Sequence, residues 1–369
     1  MSKRFVLRNV KRTDERAIDI AIEEGIVAEV AEAGTIATVH GDEGFDGKGM
    51  YVSGGWIDLH AHAFPELTPY GDELDEIGVR QGVTTVVDAG SCGADRIAEL
   101  RASGRTAATR LLAFLNVSRI GLQRVDELSR LEWIDPERAA AAAAANPDFI
   151  VGLKARMSRS VVKDSGLEPL RLARRLADRL SLPLMVHIGS APPDVRDILG
   201  LLESGDIVTH CLHGKPNNLF GENGEPLPEL LAALERGVRL DVGHGTASFS
   251  FKTAELAKKA GIRPDTISTD IYRGNRTGGP VYGMSRVLSK FLLLGWELAE
   301  IVDAVTVRPA EWLGRPELGR IRVGEAAHLT LFAVTPGRYE LTDSEGETRV
   351  ADRIIEAKGV FANGQFAAC

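Results

Sequence analysis

The stretch "DFIVGLKARMS", Asp148 to Ser158, carries a lysine inside an apolar run. Phe149 to Ala155 reads as a buried β-strand, a setting in which an ammonium group is costly to desolvate. Gly152 and Lys154 share a face, because side chains two apart in a strand point the same way. A lysine at the inner end of such a strand needs a reason, and the neighbouring runs supply one.

Working outward, short apolar runs alternate with longer amphipathic ones from about residue 50 to 312. The expected strands are "GWIDLHAHA" (55–63), "TTVVDAG" (84–90), "RLLAFLNV" (110–117) and "DFIVGLKAR" (148–156). Four more follow: "PLMVHIG" (183–189), "DIVTHCLH" (206–213), "VRLDVGHG" (238–245) and "DTISTDIY" (265–272). Helical patterns separate them, such as "LEPLRLARRLADRL" (167–180), "DVRDILGLLESG" (194–205) and "LPELLAALERG" (227–237), with apolar residues at three- and four-residue intervals. In "DPERAAAAAAANP", Asp135 caps a helix, Pro136 opens it and Asn146-Pro147 stops it. Eight strand-then-helix units predict an α/β fold, a (β/α)₈ barrel over residues 55–314. A doubly wound sheet would carry a glycine-rich phosphate loop after its first strand, and none is present.

The two ends differ in texture. Residues 1–54 and 315–369 hold short alternating segments with turn signals at Glu24-Gly25 and Asn363-Gly364. Neither end is large enough for its own core, so the two are expected to pack together as one small β-sandwich beside the barrel.

Composition narrows the function. The chain has 369 residues, 44% hydrophobic and 26% charged, with a net charge of −8. No basic run marks a partner surface, so neither nucleic acid nor membrane is an expected partner. The start "MSKRFVLRNVKRTDERAIDI" has no long apolar segment, so no signal peptide or membrane helix is expected. Three scattered cysteines make no disulfide framework, which points to the cytoplasm.

Six of the eight histidines lie between His60 and His244, and most end an apolar run. Barrels of this kind place their chemistry at the carboxyl ends of the strands. The polar residues there are His60 and His62, Lys154, His187, His210 and Asp270. His60 and His62, two apart on an extended segment, can hold one cation. Such a pair alone is weak evidence; in series with single histidines on the fifth and sixth strands and an aspartate on the eighth, it is specific.

The runs "GWIDLHAHAF", "VGLKARMS", "VHIG", "THCLHGKP" and "ISTD" resemble the amidohydrolase superfamily of metal-dependent hydrolases, within it the dihydroorotase-like amidohydrolase and deacetylase group. The likeness extends over nearly the whole chain. It implies that His60, His62 and Asp270 hold one divalent metal ion and that His187 and His210 hold a second. Lys154 then bridges the two as an N6-carboxylysine, a carbamate derived from CO₂. Zn²⁺ suits imidazole and carboxylate ligands, with manganese, iron or a mixed pair left open. Two such cations would acidify a water, and Asp270 would pass its proton to the leaving group.

Three further residues are candidates for substrate binding. Arg156 lies two positions beyond Lys154 and can meet a substrate carboxylate or pair with an acid. His213 and His244 can line the pocket or simply hold a loop. Dihydroorotase itself resembles His-x-His-x-Arg after the first strand, where this chain reads His60-Ala61-His62-Ala63-Phe64. Ring opening is therefore disfavoured. The expected reaction is deacylation of a small acylated carboxylate, an N-acetyl-D-amino acid or acetylated 2-hydroxy acid. The alternatives are a cyclic amide hydrolase and a non-catalytic structural homologue. Tyr272 stands where relatives often carry histidine, and a homo-oligomer is compatible with the reading.

Overall fold

Five strands precede Gly55: β1 (Arg4–Lys11), β2 (Ala17–Glu23), β3 (Ile26–Glu32), β4 (Glu43–Asp46) and β5 (Tyr51–Gly54). The structure, a computed structural model, describes residues 4–369, so the first three positions of the expected segment 1–54 lie outside the described residues. The apolar runs that follow form seven parallel strands. These are β6 (Trp56–Ala61), β7 (Val83–Ala89), β8 (Arg110–Asn116), β9 (Ile150–Met157), β10 (Leu184–Ile188), β11 (Ile207–Thr209) and β12 (Arg239–Asp241). They pair in sequence order, as crossovers through intervening helices demand.

The sheet is curled. Ile57, Val87, Leu112, Phe114, Met185 and Ile207, from five of its strands, pack into one cluster on the concave side. On the convex side the helix Glu168–Leu180 buries Leu170, Ala173, Leu176 and Ala177, each large side chain contributing about 1.5–3 kcal/mol. The alanine-rich helix runs Pro136–Ala145, with the Asp135 carboxylate accepting from the Arg138 backbone N–H at 3.0 Å.

The eighth expected strand, 265–272, is a correction. It makes single bridges, Thr266 to Asp241 of β12 and Ile271 to Ala61 of β6, rather than a ladder. Backbone bonds tie it to both neighbours, His62 N–H to the Ile271 carbonyl and Val242 N–H to the Thr266 carbonyl among them, but side chains interrupt the ladder: Ser268 Oγ accepts from Gly243 N–H, Asp58 accepts from Thr269 N–H, and Thr269 Oγ1 accepts from Ile271 N–H. β11 and β12 are likewise shorter than expected, because His210, Gly243 and Gly245 turn the chain at positive φ.

The C-terminal segment adds β13 (Leu329–Thr342), β14 (Thr348–Ala362) and β15 (Gln365–Ala368). Both ends join one eight-stranded sheet in the order β15-β14-β13-β5-β1-β2-β3, with β4 alongside β1. Leu7, Val10, Ile20 and Ile22 from one end share a core with Leu329, Leu331 and Phe361 from the other. Both expected turns are present, with Glu24 and Gly25, and Asn363 and Gly364, all at positive φ, the geometry of a two-residue hairpin turn. Among the described residues no helix is long and apolar enough to cross a membrane.

Candidate metal centre

At the carboxyl end of the parallel sheet lies a cavity of about 290 Å³. His60, His62, Lys154, His187, His210 and Asp270 all line it. The ring centroids of His187 and His210 are 4.4 Å apart, and those of His60 and His210 5.0 Å. Asp270 Oδ1 lies 3.1 Å from His62 Nε2 and 3.4 Å from His60 Nε2. Ligand atoms of His60, His210 and Asp270 fall within 4.8 Å of one another, a group able to hold a metal ion.

The remote ring nitrogens are engaged. Thr209 donates its hydroxyl to Asp241 Oδ2 at 2.7 Å, so its oxygen accepts the His60 Nδ1 proton at 2.8 Å. His210 Nδ1 donates to the Gly243 carbonyl at 2.6 Å. In both rings the Nε2 lone pair therefore faces the cavity, as a metal ligand requires. His62 Nδ1 meets Ser91 Oγ at 2.8 Å. Burial first, then neighbouring positive groups, hold His60, His187 and His210 well below the usual histidine range. Neutral imidazoles beside a carboxylate are a donor set that fits a divalent cation.

Backbone strain sits at two of these positions. His210 has φ +67° and Asp270 φ +51°, a region costly for residues other than glycine. Asp270 is fixed there by its N–H to the His60 carbonyl, at 2.6 Å, and by Asn275 Nδ2 donating to its own carbonyl, at 2.9 Å. Gly245 gives it room, since a Cβ there would stand 2.3 Å from Asp270 Oδ2.

Lys154 is 1% exposed. Its Nζ lies 3.3 Å from His60 Nε2 and 3.2 Å from Met185 Sδ, with no carboxylate in hydrogen-bond reach among the described residues. Burial lowers its pKa to about 7, so the neutral amine is well populated near neutrality. Gly152, on the same face, abuts the Phe114 ring, leaving no space for a side chain.

Arg156 lines the cavity and is held by Glu127, a fully buried acid 3.2 Å away. His213 and His244 are buried but do not line it. His244 Nδ1 donates to the Gly245 carbonyl and its Nε2 accepts from Lys290 Nζ at 2.7 Å. His213 Nδ1 accepts from the Lys215 backbone N–H at 3.2 Å. Lys215 itself was missed by sequence reasoning, although it lines the cavity and burial lowers its pKa. It sits in a loop without periodicity; its only signal was its place five residues after His210 in "THCLHGKP". Tyr70 was missed as well; its ring packs edge-on to Tyr272, centroids 5.5 Å apart, on the cavity wall.

The pattern of the amidohydrolase family matches residues 51–365. The chain belongs to that family. It is 40% identical to a deacetylase of Enterococcus faecalis over 98% of both chains. Among solved structures, it is similar to an adenine deaminase (39% identity, TM-score 0.94) and a dihydroorotase (34% identity, TM-score 0.92), each over 99% of both chains. The chain is thus a dihydroorotase-like amidohydrolase, and hydrolase chemistry is the activity its family supports.

Proposed function

We propose that this amidohydrolase removes an acyl group, acetyl foremost, from the amide or ester of a small carboxylate such as an N-acetyl-D-amino acid or an acetylated 2-hydroxy acid. One observation carries the reading: six metal-type residues and two cationic heads, Arg156 and Lys215, line the same 290 Å³ cavity. The deacetylase relative, alike over nearly its full length, supports it. In our reading the curled sheet, with segment 265–272 between its first and last strands, is a (β/α)₈ barrel. Residues 1–54 and 315–369 form the companion domain.

His60, His62 and Asp270 would hold one divalent ion and His187 and His210 a second, zinc being the expected element, with Lys154 between them. Ions so held supply Lewis acidity and a water acidic enough to act as nucleophile near neutral pH. Lys154 Nζ, neutral in good part, adds to CO₂ and releases a proton, which turns a buried cation into an anion suited to bridging cations. Asp270 is partly exposed to the cavity and takes a proton at Oδ1, then returns it to the departing amine or alkoxide. Arg156, its fork braced by Glu127, and Lys215 hold the substrate carboxylate and so fix the acyl carbon over the site. No serine or cysteine nucleophile is required.

A second reading, hydrolysis of a cyclic amide, is favoured by the likeness to a dihydroorotase structure. Against it, Ala63 and Phe64 follow His62 where that enzyme's pattern has a carboxylate-binding arginine. The test is a hydrolysis screen of N-acetyl-D- and L-amino acids, acetylated 2-hydroxy acids, dihydroorotate, hydantoin and adenine. Turnover of an acyclic acyl compound is the expected outcome; turnover confined to a cyclic amide or to adenine overturns the reading. Protein that binds no metal and stays inert with zinc and bicarbonate would be a non-catalytic homologue.

A further inference from the structure

A larger cavity, about 730 Å³, opens at the other end of the parallel sheet, beside the amino ends of β8 and β9. Phe149 on its wall lies five positions before Lys154, roughly 16 Å along an extended strand. Four arginines line it, Arg101, Arg105, Arg110 and Arg315, against a single acid, Asp148. This is a concentration of positive charge in a chain whose net charge is −8.

The one acid is already committed. Arg101 donates to Asp148 Oδ2 at 2.7 Å and to Asn146 Oδ1 at 2.9 Å, and Arg315 donates to the Asp148 carbonyl at 2.7 Å. These bonds fix two guanidinium planes in the wall. Arg105 and Arg110 have no side-chain hydrogen bond or ion pair among the described residues. Arg110 Nε is shut off from solvent and unpartnered. Its surroundings oppose its charge: burial and the nearby Arg315 both push its pKa down, and Glu317 offsets only part of that. Buried guanidinium donors without acceptors are costly. Other half-buried arginines are paired, as Arg174 is with Asp206 and Arg276 with Asp72, although Arg286 Nη1 also lacks a partner among the described residues.

We propose that this cavity is an oxyanion site for a phosphate-bearing small molecule, held by Arg105, Arg110 and Arg315. Guanidinium forks match tetrahedral oxyanions in two-point contacts, and three of them together favour a dianion over a single carboxylate. Phe149, Leu111 and Leu112 form an apolar wall for the organic part of a phosphate ester. The site is separate from the metal-type residues and does not depend on how the reaction is read.

The test is calorimetric titration of the metal-loaded protein with phenyl phosphate, and with inorganic phosphate in parallel, at fixed ionic strength. The expected result is saturable binding, one per chain, tighter for the ester than for inorganic phosphate. Arg110→Gln should weaken it at least about tenfold, the loss of a charge-assisted contact. Arg105→Gln, an exposed and unpartnered position, provides a variant whose folding is not at issue and should weaken it also. Lys154→Ala should leave it intact. No saturation at millimolar ester, binding that survives both arginine substitutions, or equal binding of the two phosphates would overturn the proposal. Binding lost in Lys154→Ala would do so too, because the phosphate would then sit at the metal-type residues.

Discussion

Two lysines are buried to the same degree, Lys154 on β9 and Lys290 on the helix Met284–Leu293, each 1% exposed. Burial brings both to a pKa of about 7. Their company differs. Lys290 Nζ is enclosed, with His244 Nε2 at 2.7 Å and the Pro280 carbonyl at 3.0 Å as good acceptors, and Phe249 stacked on the histidine. Lys154 has a thioether and a longer contact to His60, and its amine faces open space. Desolvation makes both amines less basic. Only Lys154 lines the cavity, among imidazoles, and in the proposed function only it has a chemical role. A depressed lysine pKa is therefore common to an enclosed lysine and to one proposed to act, and the cavity separates them.

The comparison breaks most visibly at Lys154 itself. On the proposed function, Lys154→Ala should lose bound metal and reduce hydrolysis on the order of a thousandfold, with partial rescue by a short carboxylic acid standing in for the proposed bridging anion. Metal analysis and rates on the same samples check it, and full activity would remove the lysine from the mechanism.

Gly90→Ala probes the same side more gently. Gly90 has φ +83°, and a Cβ there would stand 2.7 Å from Lys154 Cβ and 2.8 Å from Cγ. Displacing the lysine stem should lower activity or metal affinity about tenfold to a hundredfold, read from kcat/KM and metal titration.

Lys290→Met should retain metal and keep kcat within about threefold, since its hydrogen bonds go to His244 and Pro280, neither of which lines the cavity. Its effect should appear in stability against pH. The folded pKa near 7 lies below the ordinary 10.5. Between those values the unfolded chain binds a proton that the folded chain lacks. Stability therefore rises with pH across that window, at up to about 1.4 kcal/mol per pH unit, and the contribution is lost as pH falls to 7. Urea unfolding from pH 7 to 10 should show a flatter rise in the variant. Metal loss in this variant would instead show that Lys290 acts on the centre through the Gly243–Gly245 turn.

Most of the residues that the structure brings to the cavity were legible because they interrupt apolar runs. His60, His187 and Lys154 are polar at positions where periodicity demands hydrophobes, and that conflict is visible without coordinates. The regular parallel strands were legible for the same reason. The irregularity of the eighth was not, because Ser268 and Thr269 mix side-chain bonds with the backbone ones, which no apolar pattern records. Lys290 escaped notice because a lysine in an amphipathic helix ordinarily marks the wet face. Lys215 and Tyr70 come from loops, where position is set by distant contacts rather than by local pattern. His244 stood out as a histidine ending a strand-like run, yet its ring is taken up by Lys290 on a helix more than forty residues later.

The pairing of β5 with β13, Gly54 opposite Leu329, joins segments that leave the ribosome far apart in time. Trp56 N–H, at the head of β6, donates to Thr330 Oγ1, whose own hydroxyl donates to the Gly82 carbonyl. The strand that carries His60 is thus clamped at its base by a residue 274 positions further along the chain. Such closure has a high contact order and carries its loop entropy late. Leu7, Val10 and Ile20 complete their core only once Leu329 and Leu331 are in place. A chain cut before β13 should therefore be held by chaperones rather than fold with a loosened metal centre.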